Sequence, residues 1–286
     1  MTVTDPRDPR IDDPDLFERL NTEVPHPARV WNFWLGGKDN FAADRRVGQA
    51  VLAVAPHIVD IARESRAFLG RAVEYLVTQQ HIAQFLDIGT GLPTVNNTHQ
   101  VAQRHNPDSR VVYVDNDVMV LAHARALLAD STEGGRVEYI DADARNTEKI
   151  LTEAAKTLSF EWPIAVLLLG ILGHINDDTA VERLVRELVD AMPRDSFLVI
   201  NDGTPFTPTD VAAEQAAIRE GHRYKLRPVE QLRSYFDGLE LVDPRPDQHG
   251  CGPAELVPVT LWRPDLPHGA PEPAPLASFC GVARKT

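Results

Sequence analysis

The stretch Gln84-Phe85-Leu86-Asp87-Ile88-Gly89-Thr90-Gly91 decides the fold. Phe85, Leu86 and Ile88 make a short buried strand. Gly89 and Gly91 let the chain turn tightly at its end and bring bare backbone close to a ligand. The unit then repeats. A helix is expected at about 94–105, then a strand from Arg110 to Val114 that ends in Asp115-Asn116-Asp117. A helix at about 118–129 turns Leu121, Ala124, Leu127 and Leu128 inward, and a strand from Val137 to Ile140 ends in Asp141-Ala142-Asp143. A helix near 147–157, a strand from Ile164 to Leu169, a helix over 179–192 and a strand from Ser196 to Ile200 complete the series, which closes on Asn201-Asp202. Val181, Leu184, Val185, Leu188, Val189 and Met192 step by 3, 1, 3, 1, 3, the mark of a helix with one buried side. Apolar strands alternating with amphipathic helices predict an α/β, doubly wound parallel sheet. The unbroken run Ala165-Val166-Leu167-Leu168-Leu169 fits a strand covered on both faces.

Residues 1–15, with Pro6, Pro9 and Pro14 among charges, read as a disordered arm. Residues 16–80 read as an N-terminal helical cap: Val30, Phe33 and Trp34 fall at helical spacing, Ala42 to Ala55 forms a second helix before Pro56, and 58–79 a third. Residues 81–286 form the core. Beyond the fifth strand come helices near 210–220 and 228–236 and strands near 239–242 and 277–283, with a Pro/Gly-rich insertion at about 244–276 inside that terminal hairpin.

The 286 residues carry 29 Lys and Arg against 42 Asp and Glu, a net charge of −13. Such a chain is ill suited to bind nucleic acid through its phosphates. The two cysteines, Cys251 and Cys280, have no metal-ligand or disulfide spacing, and no His spacing suggests a metal. The longest apolar run, Ile164 to Gly173, is too short to span a bilayer. With no apolar leader in the first fifteen residues, the expected setting is the cytoplasm.

Ligands of open α/β sheets bind at the carboxyl ends of the strands, where the strand order reverses. Asp115, 24 residues beyond Gly91, stands where a carboxylate accepts the two ribose hydroxyls of a nucleoside. Asp143 ends the next strand. Carboxylates at such ends also cap the following helix, the role favoured for Asp117. Thr94 occupies the position of the third glycine in a dinucleotide fingerprint, which disfavours NAD. A phosphate-free cationic ligand suits a glycine loop flanked by Asp87, and S-adenosylmethionine (SAM) has that chemistry.

The segments DIGTGLPTVNNTHQVAQ (87–103), VVYVDNDVMVLAHARALL (111–128), AVLLLGILGHI (165–175), ARVWNFWLGGKDNFAADR (28–45) and FCGVARK (279–285) resemble the actinobacterial-type S-adenosyl methyltransferase family over about residues 25–284. The resemblance implies the class I, Rossmann-like methyltransferase fold, with seven strands and the last antiparallel. It implies that Asp87, Gly89, Thr90 and Gly91 contact the methionine part of SAM. Asp115 then holds the ribose, Asn116 lies beside the adenine, Asp143 bonds the adenine amine with Ala144 next to it, and Gly170, Ile171 and Leu172 flank the reacting sulfur. The chain departs from the commoner family form at Trp31 and Trp34, where tyrosines are usual, and at His174, which stands where histidines are often paired.

The family's characteristic loop Leu35-Gly36-Gly37-Lys38-Asp39-Asn40-Phe41 is either a helix C-cap with a solvated turn or a lid whose Lys38, Asp39 and Asn40 meet the ligand; the lid is the expectation taken forward. His174 and Asp202, each after a strand, are candidate bases, with Asn201 a positioner. Trp34 and Trp262 are expected on the substrate side, since the methyl group must face elements added to the core. The expected function is methyl transfer from SAM to a small-molecule acceptor, held between the cap and the insertion. A SAM-binding sensor or partner module without transferase activity is the alternative.

Overall fold

A computed structural model describes residues 20–128, 135–245, 254–266 and 270–286. The arm expected at 1–15, Cys251 and the inward side chains of Ala124, Leu127 and Leu128 lie outside what it describes. The strands are β1 (Gln84–Ile88), β2 (Arg110–Asp115), β3 (Val137–Asp141), β4 (Ala165–Leu169), β5 (Phe197–Gly203), β6 (Glu240–Leu241), β7 (Val257–Pro258) and β8 (Ser278–Arg284). The helices are α1 (Pro27–Trp34), α2 (Ala42–Val54), α3 (Ile58–Thr78), α4 (Thr98–His105), α5 (Val118–Leu128), α6 (Thr147–Ala154), α7 (Asp178–Ala191), α8 (Pro208–Arg219) and α9 (Val229–Ser234).

The sheet runs β3-β2-β1-β4-β5-β8-β6. β1 to β5 pair in parallel, and β8 lies antiparallel between β5 and β6. This is the class I methyltransferase architecture with one addition. The inserted segment contributes β7, which pairs with β8 at Cys280 and Phe279, so eight strands stand where seven are expected.

Alternation along the parallel strands divides the core. Phe85, Val111, Ala165 and Phe197 face α3, packing with Phe68, Ala72 and Leu76. Leu86, Val112, Val166 and Leu198 face the other layer, against Ile150, Leu184 and Leu188. Helix α3, expected within the cap, therefore belongs to the sheet's own packing. What remains above the sheet is α1 and α2, which pack through Val30, Val47 and Val51 on Ala217 of α8.

The cap is tied down by charge as well as by apolar contact. Asp44, fully buried, accepts the backbone N–H of His26 at 2.9 Å and of Phe41 at 2.7 Å. His26 reaches Asp117 at 2.7 Å. Burial opposes a charge on His26, but the hydrogen bond to Asp117 and the carboxylates of Asp117 and Asp115 outweigh it and raise its pKa. That bond is fully formed below the ordinary imidazole pKa and weakens as pH rises through the raised one.

Candidate active site

The strand order reverses between β1 and β4, and a crevice of about 300 Å³ opens there. Its floor is the turn after β1. Gly89 has φ +76° and Gly91 +67°, and a Cβ on Gly89 would sit 2.7 Å from Ile171 Cδ1. The turn thus needs glycine for both conformation and space. Asp87, Gly89, Thr90, Gly91, Asp115, Asn116, Asp143, Ala144, Gly170 and Ile171 all line this one crevice, as the sequence leads one to expect.

The carboxylates differ in state. Asp87 accepts the Thr98 hydroxyl at 2.6 Å; burial pushes its pKa up to about 6 against the opposing pull of that bond and of Arg66. Asp115 accepts the N–H groups of Gly91 at 2.8 Å and Asp117 at 2.9 Å, which fixes the loop to the strand end; burial raises its pKa. Asp143 sits at the rim, where hydrogen bonds from the Arg145 guanidinium at 2.8 and 2.5 Å hold its pKa below the usual carboxylate range. Asp117 caps α5 through Met119 N–H at 2.7 Å.

Apart from Trp31, several lining residues gave no signal in the sequence. His26, Pro27 and Trp31 bring the start of α1 over the crevice, and Ser65, Arg66 and Leu69 of α3 form its side. Arg66 donates to Asn97 Oδ1 at 3.1 Å, yet its buried Nε has no partner among the described residues. A periodic helix face predicts the buried side of α3, but not that one arginine on it points at a ligand site.

Six expected placements are corrected. Asp202 lines no part of the crevice. It is 2 % exposed and accepts the N–H of Gly173 at 2.9 Å, of Gly203 at 2.8 Å and the Tyr224 hydroxyl, so it is no free base. Leu172 is in the core, and only its carbonyl is used, by Arg227. Asn40 is locked to Asn32 Oδ1 at 2.9 Å and Gly37 O at 3.0 Å, Asp39 pairs with His123 at 3.5 Å, and Lys38 is exposed. None of the three lines the crevice, so the loop is a self-bonded turn and the covering element is α1. Trp262 is 1 % exposed and packs edge-on against Phe68 and Tyr75 of α3, behind the sheet. The insertion closes the core there instead of bounding the crevice.

Trp34 lies in a second cavity beside the crevice, and His174 lies on the wall between them. His174 stacks edge-on against Tyr224 and His222. Burial, then the neighbouring His222, pushes its pKa down to about 3, so the imidazole is neutral.

The strand order, with an antiparallel strand after five parallel ones, and the glycine turn after β1 are those of a class I, Rossmann-like methyltransferase fold. The chain belongs to the S-adenosyl methyltransferase family, whose model matches residues 14–286. It is a SAM-dependent methyltransferase with SAM as its cofactor. A DUF574 family protein from Streptomyces avermitilis is 36% identical, with 93% of this chain and 99% of that one covered and a TM-score of 0.83. A structure from Thermobifida fusca, named as an inferred methyltransferase, is also 36% identical, covering 95% of this chain and 97% of that one, again with a TM-score of 0.83. No protein of curated function matches the chain. Among the described residues no helix is long and apolar enough to cross a membrane, and no cluster of His, Cys, Asp and Glu could hold a metal.

Proposed function

We propose that the crevice holds SAM in one orientation and that the methyl group passes to a small-molecule acceptor. The convergence of Asp87, Asp115 and the unpartnered Arg66 Nε on one glycine-floored crevice carries this. Arg66 takes the methionine carboxylate, satisfying a buried donor that is otherwise costly to leave unpaired. Asp87 faces the methionine ammonium. Asp115 uses its remaining lone pairs for the ribose hydroxyls. Asn116 and Ala144 flank the adenine, and Asp143 offers its amine the acceptor site that Arg145 leaves. Gly170 and Ile171 border the sulfur. When bound, SAM supplies an electrophilic methyl group on a positive sulfur. The chain's own part is alignment and exclusion of water, which for a displacement supplies much of the acceleration. The net charge of −13 argues for a small acceptor over a nucleic acid.

The test is Asp115→Ala. It removes the ribose contact and the clamp on Gly91, and SAM affinity measured by calorimetry is expected to fall by about 1–3 kcal/mol. Unchanged affinity would place the nucleoside elsewhere. A second expectation follows from the pKa of about 6 at Asp87. The ionised form binds the ammonium, so affinity falls as pH drops through that value. At pH ~5, with about a tenth of Asp87 ionised, the apparent Kd is ~10-fold weaker than at pH ~7.5. A flat profile over that interval removes Asp87 from the ammonium site.

A further inference from the structure

The cavity of about 90 Å³ beside the crevice is separated from it by Pro27, Trp31, Gly170, His174 and Asn201, which line both spaces. Its walls come from the cap, from α8 and from the loop between α8 and α9. Trp34, Val51, Ile58, Ile61, Ala213 and Leu226 make it largely apolar. Two buried acceptors at the shared wall have no partner among the described residues, His174 Nδ1 and Asn201 Oδ1. Asn201 spends its amide N–H groups on Ser65 Oγ at 3.3 Å and Ser278 Oγ at 3.1 Å. His174 hydrogen-bonds the backbone of Arg223, which leaves Nδ1 with a lone pair. Two bare acceptors at one place call for a ligand that donates.

The charge of that ligand is constrained from both sides. No Lys or Arg lines the cavity among the described residues, so an anion finds no counterion. Of the two lining carboxylates, Asp210 is fully engaged and Glu214 only through one oxygen. Asp210 bonds His57 Nε2 at 2.8 Å and the N–H and hydroxyl of Thr207 at 2.6 and 2.7 Å, and Glu214 accepts the Leu226 N–H at 3.0 Å. An ammonium drawn to Glu214 sits off the wall shared with the crevice, which Glu214 does not line, and away from the two bare acceptors. The imidazole of His174 on the shared wall, and that of His222 edge-on behind it, are both neutral.

We propose that this cavity is the methyl-acceptor site and that it takes a compact, apolar, neutral molecule carrying a hydroxyl, such as a phenol, whose oxygen is held at the shared wall by His174 Nδ1. The assignment rests on SAM occupying the crevice as proposed above. A cavity of ~150 Å³ holds one benzene ring, so at about 90 Å³ this one seats only part of a single ring. A lone pair of the hydroxyl oxygen forms the new O–CH3 bond while the S–CH3 bond breaks and leaves its electron pair on sulfur. The hydroxyl proton passes to His174 Nδ1 and on to solvent. An oxonium formed by O-methylation is a strong enough acid to protonate even an imidazole weakened by burial. A neutral amine needs no such base, because its methylated ammonium is stable, so a proton acceptor at this wall serves oxygen.

The experiment uses the full chain and begins with SAM calorimetry, so a failure of the crevice shows itself first and separately. Phenol, aniline and benzoate then serve as probes, with binding followed by ligand-observed NMR and methyl products by mass spectrometry. Phenol is expected to bind and to yield anisole at least about tenfold faster than aniline or benzoate reacts. Ala213→Phe fills the cavity and is expected to abolish phenol binding while SAM affinity stays within about twofold. Ala55→Leu fills the same space should Ala213→Phe not fold. His174→Phe is expected to weaken phenol binding a few-fold, roughly one lost hydrogen bond, while anisole formation falls far more, ~10²-fold. With SAM binding intact, any one of three results overturns the proposal: phenol that fails to bind, phenol that binds without being methylated, or phenol binding untouched by the filling variants. Equal methylation of aniline overturns the choice of oxygen.

Discussion

Trp262→Ala is expected to destabilise the fold by about 3–5 kcal/mol, the usual cost of deleting a large buried aromatic, and to leave SAM affinity unchanged. Trp262 is the largest fully buried side chain of the protein. Its ring meets Phe68 at 5.4 Å and Tyr75 at 5.8 Å between centroids, both edge-on, a geometry favourable beyond the area it hides. The segment around it is fastened to α3 by Arg71, which donates to Val259 O at 2.6 Å and Trp262 O at 2.9 Å. Those bonds use backbone oxygens and survive the substitution, so the segment stays near its place while a cavity opens beneath it. Denaturant titration with and without SAM checks both halves of the expectation. Loss of SAM affinity in a folded variant would return Trp262 to the substrate side.

Arg227→Ala is expected to cost about 2–4 kcal/mol, chiefly by leaving the buried carbonyls of Leu172 and Ile175 unmatched. The guanidinium is 1 % exposed and donates to Leu172 O at 2.7 Å, Ile175 O at 2.5 Å and Asp178 Oδ1 at 3.0 Å. Those carbonyls belong to the single turn after β4 that carries His174. Lys225 N–H adds a bond to Gly173 O at 2.7 Å, so the α8–α9 loop and the turn are stitched together. Removing the arginine loosens His174 and Tyr224 together. Chemical unfolding reads the stability loss, and phenol turnover is expected to fall more than SAM binding. A fully stable Arg227→Ala variant would show that the fork is dispensable. Lysine cannot replace it, because a single ammonium cannot reach two carbonyls and a carboxylate in one plane.

The five parallel strands were legible because each is an apolar run stopped by small or acidic residues, and the site followed because its residues sit at those stops. Parity explains Asp202. With β5 ended at Ile200, both Asn201 and Asp202 look like strand-end groups. The strand continues to Gly203, and successive side chains alternate, so Asn201 faces the crevice and Asp202 the opposite side. Trp262 was illegible because β7 is two residues long and gains its meaning only from pairing with β8, far along the chain. The loop at Lys38 to Asn40 looked ligand-facing because polar residues beside a glycine pair carry no record of their partner; Asn32 within α1 supplies it. Arg66 and His26 were missed for a related reason. Arg66 lines the site from an otherwise ordinary helical sequence, and His26 from the extended N-cap position just before α1.

The position of β8 between β5 and β6 bears on how the protein is made. β8 pairs with β5 over seven residues and with both β6 and β7. Every other described strand has left the ribosome before it. Until residues 278–284 emerge, β5 presents an open edge of unpaired amides and carbonyls, and β6 and β7 have no neighbour to hold them. The nascent chain thus carries a sticky, incomplete sheet edge while the ~80 residues between β5 and β8 are made. Closure waits for a contact between segments about 80 residues apart in sequence, which makes it a slow, non-local step. Ser278, at the start of the same strand, lines the second cavity, so that cavity is complete only when the sheet is.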